Sequence, residues 1–154
     1  MKIAIGSDHA AFDLRQIIIQ HLQSRGVDVL DVGTHQKKST HYPIYAQLVA
    51  KAVAAGEVDL GILICGTGVG VGISANKVQG IRAATVGDTF SARMARAHNN
   101  ANVLALGARV VGPGLALDIV DAWLDQDFEG GRHQIRVDLI SRIEAGEDIT
   151  DQAQ

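Results

Sequence analysis

Five times along the chain a short run of Val, Ile, Leu and Ala gives way to a stretch with a helical period, and glycine marks most of the switches. The runs are Lys2–Ser7, Val27–Val32, Leu60–Cys65, Ile81–Val86 and Val103–Leu106. Between them lie a helix from Ala11, with Leu14, Ile17, Ile18 and Leu22 on one face and Arg15, Gln16 and Gln23 elsewhere, and a helix from Pro43 to Gly56. A short helical stretch toward Lys77, a helix over Asp88–His98 and one opened by Pro113 that ends near Asp127 complete the alternation. A proline in the first helical turn loses nothing, because its missing N–H has no partner there anyway. Leu60–Cys65 is apolar throughout, as expected of a strand covered on both faces. Strands alternating with helices over short connections imply a parallel sheet, since each crossover returns over a face of the sheet. The expected fold is a Rossmann-like, three-layer α/β/α arrangement with five parallel strands, forming a single domain over residues 1–154.

A further amphipathic helix, at about 130–146, follows the Gly130-Gly131 break, with Ile135, Leu139, Ile140 and Ile143 on one side. That face needs a partner, and a homodimer is the expected one, because closed two-fold assemblies are the commonest. Glu147 onward is read as a frayed polar tail. Fourteen Lys and Arg against 17 Asp and Glu give a net charge of −3. This argues against nucleic-acid or membrane-surface binding and leaves room for a local basic pocket. The single cysteine permits no internal disulfide and fits a reducing, cytoplasmic setting. No signal peptide or spanning segment is expected.

In an open parallel sheet ligands bind beyond the carboxyl ends of the strands. The first strand ends at Asp8-His9, and the third at Cys65 with the loop Gly66-Thr67-Gly68-Val69-Gly70. Backbone N–H groups of such a loop favour an anion, and beside them a thiolate is available as base or nucleophile. The loop is not a Walker loop, and it follows the third strand rather than the first as a dinucleotide fingerprint does. A tight turn without a ligand is the bland alternative. A lone cysteine has no companion thiol for zinc, so no metal is expected. Arg132 and Arg136 are four apart on one helical face and suit a phosphate dianion, although a solvated face has the same spacing. His98-Asn99 closes the fourth helix, where a polar cap is the plain reading.

The strings GSDHA, DVGT, THYP, ILICGTGVG, ANK, GIRAA, RAHNNANVLALGARVVG and EGGRHQIRVD resemble the ribose-5-phosphate isomerase B family, which includes the subunits of galactose-6-phosphate isomerase. The resemblance covers nearly the whole chain. It implies metal-free interconversion of an aldose phosphate and its ketose through a cis-enediolate, without a cofactor. It also implies a homodimer or dimer of dimers whose sites are shared between subunits. By the same resemblance Cys65 is the base, Thr67 and the amides of Gly66 to Gly70 stabilise the enediolate, and His98 opens the sugar ring. Asp8, His9 and Asn99 meet the sugar, Tyr42 and His133 line the pocket, and Arg109, Arg132 and Arg136 grip the phosphate. Ribose 5-phosphate is the expected substrate; His41 before Tyr42-Pro43 keeps a six-carbon aldose phosphate as the alternative. A non-catalytic phosphate- or nucleotide-binding module is the reading of another class, and a redox role is disfavoured because there is no second cysteine.

Overall fold

The computed structural model describes residues 1–152. Strands β1 (Lys2–Ser7), β2 (Asp28–Asp31), β3 (Leu60–Cys65), β4 (Ala83–Thr85) and β5 (Val103–Gly107) form one sheet in the order β2-β1-β3-β5-β4, with every pairing parallel. Helices α1 (Phe12–Ser24), α2 (Tyr42–Ala54), α3 (Val69–Ala75), α4 (Thr89–Asn99), α5 (Pro113–Leu124) and α6 (Arg132–Glu144) follow the strands in turn, and a 3-10 turn over His9–Ala11 precedes α1. The sheet is buried on both sides because each strand alternates between two cores. Ile3, Ile5, Ile62, Ile64, Leu104 and Leu106 face a layer with α1, α5 and Trp123. Ala4, Leu63, Cys65, Val103 and Ala105 face α2 and α3. The helix after β1 and the helix after β3 therefore leave toward opposite faces, which opens a crevice beyond the ends of these two neighbouring strands.

The expected elements are present, several of them with ends displaced by a few residues. The fourth strand covers Ala83–Thr85 rather than Ile81–Val86, and α5 stops at Leu124 rather than near Asp127. Ile81 is buried without ladder pairing, so its hydrophobicity reflects packing, not strand geometry. The free edge of β4 is occupied by a side chain: the Asn76 carboxamide accepts from the Ala83 N–H at 2.7 Å and donates to the Ala83 carbonyl at 2.9 Å. Residues 147–152 form no helix or strand beyond a turn in which the Gln152 N–H donates to the Ile149 carbonyl, and the last two residues of the expected tail, 153–154, lie outside the described residues.

Helix α1 departs from its helical-period reading. Arg15, placed off the apolar face by that reading, is fully buried, while Ile17 is exposed and Ile19 is buried instead. On α6 the buried residues are His133 and Val137, whereas Ile135, Ile140 and Ile143 remain exposed.

Candidate active site

β3 ends in a buried thiol. Cys65 is 5 % exposed, and its Sγ accepts a hydrogen bond from the Gly68 N–H at 3.2 Å. That bond requires the chain to turn back sharply, and Gly68 does so with φ +80°, the left-handed region that a residue without Cβ enters freely. A methyl there would also stand 2.9 Å from the Leu106 carbonyl carbon. Thr67 Oγ1 accepts from the Val69 N–H at 3.3 Å, which settles the first turn of α3. Across the crevice, Asp8 caps the 3-10 turn by accepting from the Ala10 N–H at 3.0 Å.

These groups line one open cavity of about 410 Å³, walled by Asp8, Tyr42, Cys65, Gly66, Thr67, Val69, Gly70 and Ile73. Seven of the eight are sequence-predicted site residues. Ile73 is the addition, and its signal was its position one helical turn beyond Val69 and Gly70 on α3. Arg109 stands at the rim, its Nη1 3.6 Å from where a Cβ on Gly66 would lie. His9 is set aside from the cavity wall, its Nδ1 accepting from the Thr40 N–H at 3.3 Å. Chemically, the cavity holds a soft base, a carboxylate, a hydroxyl and a glycine loop around a space open to solvent.

The other predicted residues gather elsewhere, where the end of α4 meets the start of α6. The rings of His98 and His133 stack with centroids 4.1 Å apart and planes within 5°. Glu129 lies against both: its Oε2 is 3.9 Å from His98 Nε2 and 3.5 Å from His133 Nε2. Its backbone N–H donates to the Ala97 carbonyl at 3.0 Å, tying it to α4. Burial, then the neighbouring His98 and Arg132, hold the His133 imidazole below its ordinary range, with Glu129 opposing them. Glu129 carries no periodic signal in the sequence and was missed. The three side chains bring possible metal-ligand atoms within 4.8 Å of one another. Parallel rings, however, send their lone pairs side by side rather than to a point, and Arg132 Nε already lies 3.4 Å from His133 Nε2. The arrangement suits an anion or a shared proton better than a cation. Asn99 lies on a separate groove of about 480 Å³ with Arg82, Ile140, Ile143 and Glu144. None of His98, Asn99, Arg132, His133 or Arg136 lines the Cys65 cavity of its own chain.

A doubly wound α/β domain with a thiol, a carboxylate and a glycine loop at its switch point, and a histidine–arginine cluster held apart, belongs to the class of open-sheet proteins that bind small molecules beyond the carboxyl ends of their strands. The chain belongs to the Ribose/Galactose Isomerase family, whose profile matches residues 3–140. It is 58 % identical over 143 residues to a protein named ribose-5-phosphate isomerase B from Escherichia coli strain K12, covering 93 % of this chain and 96 % of that one. Among solved structures, ribose-5-phosphate isomerase B of Clostridium thermocellum superposes with a TM-score of 0.94 at 55 % identity, over 95 % of this chain and 99 % of the other. The Mycoplasma genitalium enzyme of the same name, solved with bound ribulose-5-phosphate, superposes with a TM-score of 0.91 at 47 % identity, over 95 % and 97 % of the two chains. Among the described residues, no helix is long and apolar enough to cross a membrane.

Proposed function

We propose that the chain interconverts ribose 5-phosphate and ribulose 5-phosphate, with Cys65 moving the proton between C2 and C1. The observation that carries this reading is the Cys65 Sγ, fixed by the Gly68 N–H in a cavity that also holds Asp8 and Thr67. Aldose–ketose isomerisation needs one base within reach of a carbon-bound proton and donors around the oxygens that gain charge. In the open-chain aldose the Cys65 thiolate takes the C2 proton, the C1–C2 double bond forms, and the C1 carbonyl oxygen gains the charge. A proton passes from the C2 oxygen to the C1 oxygen between Thr67 and the loop of Gly66 to Gly70. The thiol then returns its proton to C1. Atoms and electrons balance without a hydride acceptor.

The cavity has one guanidinium at its rim, Arg109, while Arg132 and Arg136 stand with His98 in the other cluster. Both regions carry exposed apolar side chains: Tyr42, Val69 and Ile73 at the cavity, with Ile44 and Leu48 further along α2, and Ile135, Ile140 and Ile143 on α6. These faces support a homodimer, or a dimer of dimers, in which one copy's His98, Asn99, Arg132, His133 and Arg136 complete the cavity of the next. His98 then serves as the acid that opens the furanose ring, and the arginines hold the phosphate. A cytoplasmic, reducing setting keeps the thiol in its working state.

Cys65→Ala is expected to lower turnover of ribose 5-phosphate by about 10²–10⁴-fold, the usual worth of a general base, with the fold retained. Turnover near the parent's refutes the assignment. The same assay run on pentose and hexose phosphates, with and without EDTA, separates a five-carbon from a six-carbon substrate and tests for metal dependence.

A further inference from the structure

Arg15 is the largest charged side chain in the interior. It is fully buried on α1, and nothing in the reaction as written uses it. Its Nη1 donates to Ser7 Oγ at 2.7 Å, its Nη2 donates to the Thr34 carbonyl at 2.6 Å, and its Nε lies 3.2 Å from Asp31 Oδ1. Ser7 Oγ in turn donates to the Asp8 carbonyl at 3.0 Å, and the Thr34 N–H donates to the Ser7 carbonyl at 3.1 Å. The guanidinium therefore joins the carboxyl ends of β1 and β2 beneath the Asp8–His9 turn. Space is reserved for it: a Cβ on Gly33 would stand 2.0 Å from Nη1.

Taking a guanidinium out of water costs several kcal/mol, and a well-packed apolar side chain of similar volume often serves stability as well or better. Burial pulls this group's proton affinity down, and only Asp31 and Tyr45 push it back. Stability alone is a poor reason for such a residue. What the arrangement does achieve is geometric. Arg15 fixes the Ser7 hydroxyl, the hydroxyl fixes the Asp8 carbonyl, and Asp8 and His9 are adjacent along the same turn. His9 is further tied to Thr40 in the loop that Thr34 begins. We infer that Arg15 is a positioning residue for the isomerase reaction, acting through Ser7 to hold Asp8 at the angle the sugar requires. This rests on the reading of the Asp8–Cys65 cavity as the active site.

The test is a double-mutant cycle on Ser7→Ala and Arg15→Met, with Arg15→Lys as the conservative variant. Rates are expressed per folded site, with the folded fraction taken from each variant's urea unfolding curve. Each of the first two variants is expected to lose about tenfold in kcat, the scale of a sub-ångström misplacement, with KM changed far less. The double variant is expected to lose no more than the worse single one, because both act along one path. Arg15→Lys is expected to recover most of the rate. A merely structural Arg15 lowers the urea midpoint and the number of folded sites but leaves kcat per site intact, and that result overturns the inference. Fully multiplicative losses overturn it as well. If Arg15→Met does not fold, Ser7→Ala and its combination with Arg15→Lys are judged by the same criteria. An active Cys65→Ala variant defeats the reading of the site itself, whereas an inactive one together with normal Ser7→Ala kinetics defeats only the role of Arg15.

Discussion

Gly107 ends β5 directly opposite Cys65 in the parallel ladder, and replacing it with alanine tests whether the reactive loop is held by close backbone packing. The residue lies outside the left-handed region, so the substitution brings no conformational penalty. The consequence is steric. The added methyl would lie 2.7 Å from the carbonyl carbon and oxygen of Thr67 and 2.9 Å from its Cα, where ordinary contact begins at 3.4 Å. About 0.7 Å must come from the backbone of one side or the other. β5 is paired with β3 on one edge and β4 on the other, so the loop gives way. Overpacking of this kind costs about 1–3 kcal/mol, and each kcal/mol lowers the melting temperature of a chain this long by about 2–4 °C. A displacement of 1 Å at a reacting group costs about 10²-fold in rate, so a shift of this size is expected to lower kcat roughly 10- to 100-fold. The assay is the initial rate of ketose formation from ribose 5-phosphate, read beside a thermal melt. Gly112→Ala is the control, since a Cβ there meets nothing within 4 Å; it should match the parent. A Gly107→Ala protein with parental melting temperature and kcat refutes the reasoning.

Two further outcomes are expected. His133 is held neutral below its ordinary value of 6.5, so the unfolded chain takes up a proton that the fold refuses as pH drops. Stability is therefore lost as pH falls through about 6.5 toward the lower folded value, and His133→Gln should show a flatter urea midpoint between pH 8 and 5; parallel curves remove this cause. Mixing Cys65→Ala with Arg132→Ala chains should restore about a quarter of parental activity, since random two-fold pairing makes half the dimers mixed and each mixed dimer has one intact site. Verified exchange without recovery shows that each chain builds its own site.

The alternation of strand and helix was legible because both periods are local properties of the sequence, and the crevice followed from where the strands end. Cys65, Asp8 and the glycine loop met there as expected. Arg15 was not legible as a buried group: helical periodicity assigns a charged residue to the outer face, and its partners Ser7, Asp31 and Thr34 come from two other strand ends. Ile81 illustrates the opposite error, since apolar character extended the fourth strand beyond its ladder. The separation of His98, Arg132 and Arg136 from the thiol was not legible in spacing, which does not say which strand and helix ends meet; only the family resemblance, with its sites shared between subunits, pointed to it.

Asn76 does more than decorate the edge strand. An unpaired strand edge offers its N–H and C=O groups as a template for another chain, and in β4 the outward pair of Ala83 is already engaged by a carboxamide from the same molecule. At the start of its shortest strand the sheet therefore offers one outward pair fewer for growth, and crowded copies find a weaker template for cross-strand aggregation.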